Sequence, residues 1–341
     1  MTDLFTLLPK AELHLHLEGA ILPATAVELA ARNGVTLAAG ARVETLYRYD
    51  DLAGFLAVYG AIARAVVSQD DFRRITFEML ASCAASGARH VEFFISPHAH
   101  PDVPFATQFA GIRAGIAQAR AAYGLTALFA PGINREQGPA AAEAYLDACL
   151  ALRCPEMAGI GLDYNEAPYP PEPFAAVFAR ARAAGLQITA HAGEGGPAAY
   201  VAGSLDALGV MRIDHGYAVV NDPDLVARGR AAGVLFTCCP STTRFTTIWR
   251  DLTAPDHPIR RMKDAGLRVT INSDDPPFFG TTLADEYRIA HCDLGFSLAD
   301  IRASILTGLA GSWMPQADKD RLAVDWAAEI DALLQDHADG L

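Results

Sequence analysis

Eight short β-rich runs punctuate this 341-residue chain, and Ala-rich helical stretches separate most of them. The runs are 12–17, 90–95, 125–130, 159–163, 187–191, 212–215, 235–239 and 268–272, and each precedes a Gly, Pro or polar turn. Among the intervening stretches, 174–184 ends at Gly185, 222–232 ends before Gly233 and 258–265 ends before Gly266. Glycine is the residue best able to take the left-handed conformation that closes a helix. A helix, a glycine and then a buried strand is the second half of a βαβ unit, and such crossovers make strands parallel. Eight parallel strands close on themselves, so the predicted fold is α/β, a TIM (β/α)8 barrel, in one domain over 1–341. Two segments exceed the minimal pattern. A mostly helical insertion at 34–87 follows strand one, and a helical tail occupies 293–338. The insertion leaves the C-terminal end of strand one, which allows it either to cover the barrel mouth as a lid or to pack in the outer ring.

Composition narrows the function classes. With 51% hydrophobic and 20% charged residues, the chain reads as a soluble globular protein. A formal charge of −13 argues against nucleic acid or an anionic membrane as partner, because both usually require a basic face. The opening MTDLFTLLPKAELH lacks a basic segment followed by an apolar run, so no signal peptide is expected. No uncharged apolar stretch reaches the roughly 18 residues needed to span a bilayer. Cys83, Cys149, Cys154, Cys238, Cys239 and Cys292 have no disulfide-framework spacing and read as reduced thiols of a cytoplasmic protein. Homo-oligomerisation is left open.

Strand ends carry the chemistry. In His14-Leu15-His16 the two imidazoles share one strand face, while Leu13, Leu15 and Leu17 take the other. Strand five runs out through His191-Ala192-Gly193-Glu194, strand six through Asp214-His215-Gly216, and strand eight through Ser273-Asp274-Asp275. Active sites of such barrels assemble at the C-terminal strand ends. Isolated imidazoles and carboxylates there would be costly to bury. Ligation by three histidines and one carboxylate suits zinc, with iron, manganese or cobalt as alternatives. The other zinc deaminase signature, H-x-E with P-C-x-x-C, is absent. Neighbouring side chains on a strand face opposite ways, so Cys238 and Cys239 read as packing.

The stretches LPKAELHLHLEGA near the start, HAGEGGP at 191–197, RIDHG at 212–216 and NSDDPPFFGTTLADEY at 272–287 resemble the adenosine/adenine deaminase family of the amidohydrolase superfamily. The resemblance runs from Leu8 to about Tyr287. It implies one zinc ion per chain, held by His14, His16, His191 and Asp274, and a small purine as substrate. It also implies that Glu194 donates a proton to purine N1, His215 hydrogen-bonds the attacking water, Asp275 contacts purine N7, and Gly193 shares the active-site turn.

The chemistry supports these roles. Zinc makes hydroxide available near neutral pH, for attack on the carbon that bears the amino group. Attack on an aromatic ring requires electron density to move onto the adjacent ring nitrogen, which a neutral Glu194 assists. Glu18 follows the H-x-H pair where the adenosine branch commonly has Asp, and 256–266 also looks like the adenine branch, so adenine is favoured over adenosine. Tyr164, where the family has small residues, and Pro240-Ser241-Thr242-Thr243 depart from that branch and leave a modified adenine or nucleoside open. His98 and His100 are expected on the surface or behind the site. A related hydrolase with a binuclear centre would usually need a lysine-derived bridge, and no predicted strand ends in Lys. Loss of a ligand or of Glu194 would point to a non-enzymatic binding protein, but all are present.

Overall fold

The computed structural model describes residues 3–37, 42–47 and 52–339. Its eight strands are β1 (Lys10–Glu12), β2 (Ala88–Ile95), β3 (Thr126–Asn134), β4 (Gly159–Asp163), β5 (Gln187–Ala192), β6 (Arg212–His215), β7 (Leu235–Cys238) and β8 (Arg268–Ile271). They pair in chain order, each parallel to the next. The seam between β8 and β1 is made beyond the strands proper. There Asp274 N–H donates to His14 O at 2.9 Å and His16 N–H donates to Asp274 O at 3.0 Å. The result is the predicted (β/α)8 barrel.

Strand one differs from its predicted span of 12–17, because the regular ladder stops at Glu12. Side chains replace the backbone partners from there. Leu13 N–H donates to Asn272 Oδ1 at 2.9 Å, and His14 N–H donates to Glu12 Oε1 at 3.1 Å. Leu15 and His16 rejoin the sheet only through isolated bridges to Asp274 and Phe94. In the other direction β3 continues to Asn134, four residues past its predicted end, because Gly132, Ile133 and Asn134 pair with β4.

The glycine stops behave as expected. Helix Pro223–Ala232 begins with Asp222 accepting from Leu225 N–H at 3.0 Å and ends at Gly233 with φ 71°. Helices Ala175–Ala183 and Pro258–Asp264 are followed by Gly185 and Gly266, both at positive φ.

The 34–87 insertion divides its work, although 38–41 and 48–51 lie outside the described residues. Helix Gln69–Ala85 belongs to the outer ring and packs on helix Phe105–Tyr123. Gly115 permits that approach, since a Cβ there would come within 2.7 Å of Arg73 O. Helix Leu52–Arg64 instead sends Tyr59 to the cavity at the barrel mouth. The tail forms two helices. Leu298–Gly311 packs on β8 and β1, and Gln316–Asp339 packs on that helix, burying Trp326 and Ile330. All six cysteines are free. Among the described residues, no helix is long and apolar enough to cross a membrane.

Candidate active site

The ends of β4, β6 and β8 each place a non-glycine residue in the left-handed region: Tyr164 at φ 72°, His215 at φ 67° and Asp274 at φ 60°. Such backbone costs energy outside glycine and persists where the surroundings hold it, most often at functional sites. All three residues line one cavity of about 330 Å³ at the C-terminal face of the barrel. His16, Asp163, His191, Glu194 and Asp275 line it too.

The ring nitrogens of His14, His16 and His191 lie within 4.8 Å of one another. Asp274 Oδ1 sits 3.4 Å from His14 Nε2 and 3.2 Å from His16 Nε2. Donors around one tetrahedral zinc, each about 2.0–2.1 Å from it, stand roughly 3.3 Å apart. His14 Nε2 and His191 Nε2 are buried with no hydrogen-bond partner, a cost that a cation would remove.

Hydrogen bonds behind these rings present the right nitrogens. Thr237 Oγ1 donates to Asp214 Oδ1 at 2.9 Å, so it accepts from His14 Nδ1–H, also at 2.9 Å, and Nε2 keeps its lone pair. His191 Nδ1 lies 3.2 Å from Leu162 O, which can only accept. That bond likewise leaves His191 Nε2 free to ligate, in the way outer partners commonly fix metal-binding histidines. Thr189 Oγ1 holds the other oxygen of Asp214 at 2.7 Å. The three imidazoles, with Asp274 beside His14 and His16, make a candidate site for a divalent cation.

Charge states follow from burial and neighbours. Burial and the adjacent imidazoles push His191 and His215 well below the usual histidine range, so both rings are neutral. Burial by itself would raise Asp274, but His14 and His16 outweigh it and hold this carboxyl well below the usual range. Burial, reinforced by the Asp274 charge, raises Asp275 well above that range and lifts Glu194 to about 8. Of these three acids, Asp274 is thus driven toward its ionised form, and Asp275 and Glu194 toward their protonated forms.

His215 Nε2 faces Glu194 Oε2 at 3.5 Å and Asp274 Oδ2 at 3.8 Å. Tyr217 OH donates to Cys239 O at 3.1 Å, so it accepts from His215 Nδ1–H, again at 3.1 Å. His215 therefore turns an unprotonated Nε2 into the cavity. Thr246 Oγ1 donates to Glu194 Oε1 at 2.5 Å, and Thr242 Oγ1 donates to Asp274 Oδ2 at 2.8 Å.

The remaining predicted residues stand further back. Glu18 is buried and does not line the cavity; its Oε1 accepts from Ser96 N–H at 2.9 Å and meets His100 Nε2 at 3.0 Å. The wall in that direction is built by Ser96, Tyr59 and Tyr164. Gly193, at φ 77°, makes the turn that carries Glu194, and a Cβ there would come within 2.7 Å of Val201. His100 is buried against Glu18, so it is no surface residue, whereas half-buried His98 stacks on Tyr145 at 4.3 Å. Cys238 turns toward His215 O. Cys239 Sγ comes within 4.8 Å of donor atoms of His14, His215 and Asp274, and burial pushes its thiol pKa well up.

Several residues at the site carry no sequence prediction. Thr189 and Thr237 sit on inward strand positions, and the i,i+2 relation of Thr189 to His191 marks the shared face. Asp163 and Asp214 stand at strand ends, the places already flagged. Thr246, Tyr59 and Glu136 reach the cavity from separate loops or helices, and no local pattern announces them.

Comparison with known proteins agrees with this arrangement. The adenosine deaminase family model matches residues 9–328. An adenine deaminase of Ralstonia nicotianae is 38% identical over 318 residues, covering 91% of this chain and 92% of that protein. One from Sphingopyxis alaskensis is 39% identical over 318 residues, with 92% of each covered. The crystal structure of an amidohydrolase from Burkholderia ambifaria with bound Zn superposes with a TM-score of 0.93 at 38% identity, covering 98% of this chain and 94% of that one. The crystal structure of an adenine deaminase from Arthrobacter aurescens gives 0.87 at 34% identity, covering 96% and 99%. With its barrel, its histidine–carboxylate cluster and these relatives, the chain belongs to the adenosine deaminase family.

Proposed function

We propose that this protein hydrolyses the exocyclic amino group of adenine, giving hypoxanthine and ammonia, with one zinc ion per chain held by His14, His16, His191 and Asp274. Membership of the family makes the chain a hydrolytic deaminase. The observation that carries the substrate reading is the cavity wall. It gathers Glu194, His215 and Asp275 beside the candidate metal donors, and among the described residues no Lys or Arg lines it. Glu136, Asp163, Glu166 and Asp274 add further carboxylates. A phosphorylated substrate would meet these carboxylates with no Lys or Arg among the described lining residues to offset them, whereas a neutral base carries no charge to repel. The curated relatives named adenine deaminases support the free base.

When bound, the ion supplies an acidified water, whose pKa can fall from 15.7 to about 7. The protein's own groups do the rest. His215, neutral and with Nε2 free, takes a proton from the attacking water. Glu194, still protonated, donates to N1 and so draws ring electrons away from the carbon under attack. Asp275, whose Oδ1 is buried without a partner, holds a proton that it can share with N7, a pure acceptor. The proton held by His215 then passes to the departing amine, and the proton left on the new hydroxyl returns to Glu194 as ammonia leaves and the 6-oxo group forms.

The test is steady-state ammonia release from adenine, adenosine, deoxyadenosine, AMP and N6-substituted adenines. Adenine is expected to give the highest kcat/KM and AMP none. The reading fails if adenine is the poorest substrate or if AMP outruns the free base.

A further inference from the structure

Glu166 follows β4 by three residues, yet all its side-chain hydrogen bonds go to the loop after β5. The positive φ of Tyr164 turns the chain so that this becomes possible. The carboxylate accepts four consecutive backbone N–H groups. Gly193 N–H reaches Oε1, while Glu194, Gly195 and Gly196 donate to Oε2 at 3.0, 2.9 and 2.8 Å. Four successive amides pointing at one centre form an anion-binding nest, and here the anion is a side chain of the same protein. The sequence of the loop suits it, because a Cβ on Gly196 would come within 2.5 Å of Glu166 Oε1.

The other side of the clamp is equally built. Glu166 is buried at 5% exposure. Arg135, buried at 1%, spans the same two strand ends; its Nε donates to Asp163 O at 3.2 Å and its Nη2 donates to His191 O. A cation on the carbonyls and an anion on the amides thus lock β4 to the loop that carries Glu194.

We propose that Glu166 is a positioning residue for the deamination, acting by fixing the 193–196 loop so that the Glu194 carboxyl meets the purine ring nitrogen. Charge-assisted bonds to backbone N–H groups are about twice as strong as neutral ones. A misplacement of about 1 Å at the reacting centre can cost about 100-fold in rate. Thr246 and His215, which meet Glu194 from the far side, constrain only the tip of that side chain. Glu166 constrains its backbone. The proposal rests on the deaminase reading above.

The test is a double-mutant cycle with Glu166→Gln and Glu194→Gln. In Glu166→Gln the new side-chain amide can accept through one oxygen only and turns an N–H₂ toward donors. Glu166→Gln alone is expected to lower kcat by about 100-fold, with KM changed less than about threefold and bound zinc unchanged. In the Glu194→Gln background the same change should cost less than about threefold, because the group being positioned is already gone. Equal losses in both backgrounds would mean general damage to the fold and would overturn the proposal. Hydrogen exchange supplies a readout independent of catalysis: the 193–196 amides should be protected in the wild type and exchange at least about tenfold faster in Glu166→Gln. Unchanged exchange there also overturns it. If the wild type deaminates no aminopurine, the function fails, while the exchange result still decides the clamp.

Discussion

Gly19 is the sharpest single probe of this site, because its missing side chain is what gives Asp275 its place. A Cβ built on Gly19 overlaps Asp275 Oδ1 and Cγ and stands 2.8 Å from Asp275 Cβ. The overlap with the carboxyl could be relieved by rotating it away, but the clash with Cβ could not. That clash is about 0.6 Å short of ordinary contact, so in Gly19→Ala the backbone at 19 or 275 must retreat as well as the carboxyl. Overpacking of this size costs about 1–3 kcal/mol, which a domain of this kind survives. The catalytic cost is larger. Asp275 must swing out of line with N7, and a displacement near 1 Å at a reacting centre is worth about 100-fold. Gly19→Ala should therefore lose about 100-fold or more in kcat/KM for adenine, while bound metal stays at the wild-type level and the protein remains folded. The assays are ammonia release, metal analysis and thermal melting. A variant that keeps kcat/KM within about threefold of wild type would refute the placement of Asp275 against Gly19 or its role toward substrate.

Glu194→Gln should lose at least ~100-fold in kcat with metal retained, the usual size of a general-acid contribution; unchanged turnover would remove Glu194 from the mechanism. The pH–rate profile should show an alkaline limb. The acting form of Glu194 is protonated, so rate is present below its pKa of about 8 and lost as pH rises through it, and a bound dication moves that limb lower. A rate that climbs steadily from about pH 7 to 10 contradicts this. Thr237→Val removes the acceptor of His14 Nδ1–H and a donor to Asp214, and should weaken zinc binding by about 10- to 100-fold in chelator competition. Chelation of the ion should abolish ammonia release and lower the melting temperature, with zinc restoring both; activity that survives full metal removal would exclude the ligand set.

The sequence alone determined the barrel and which strand ends carry the titratable groups at its mouth, for a physical reason. Strand and helix periods, glycine stops and strand-end positions are local properties, and a parallel (β/α)8 closure leaves few other ways to satisfy them. His14, His16, His191, Glu194, His215, Asp274 and Asp275 all stand at strand ends, so counting along the chain located them. The structure then drew them to one cavity, apart from His14, whose ring lies just beneath its lining. Only the tertiary structure decided what those groups lean on. The regular part of strand one ends at Glu12 because Glu12 and Asn272 side chains take over its backbone bonds, an exchange invisible to periodicity. Glu18, a natural candidate to touch substrate, is held behind the wall by Ser96 and His100. Glu166 reads in the sequence as one more polar turn residue; its clamp on Gly193–Gly196 exists because Tyr164 turns the chain and two neighbouring strand ends meet. Partners separated by 28 residues leave no spacing rule behind, so the support beneath the catalytic groups became legible only once the barrel had closed.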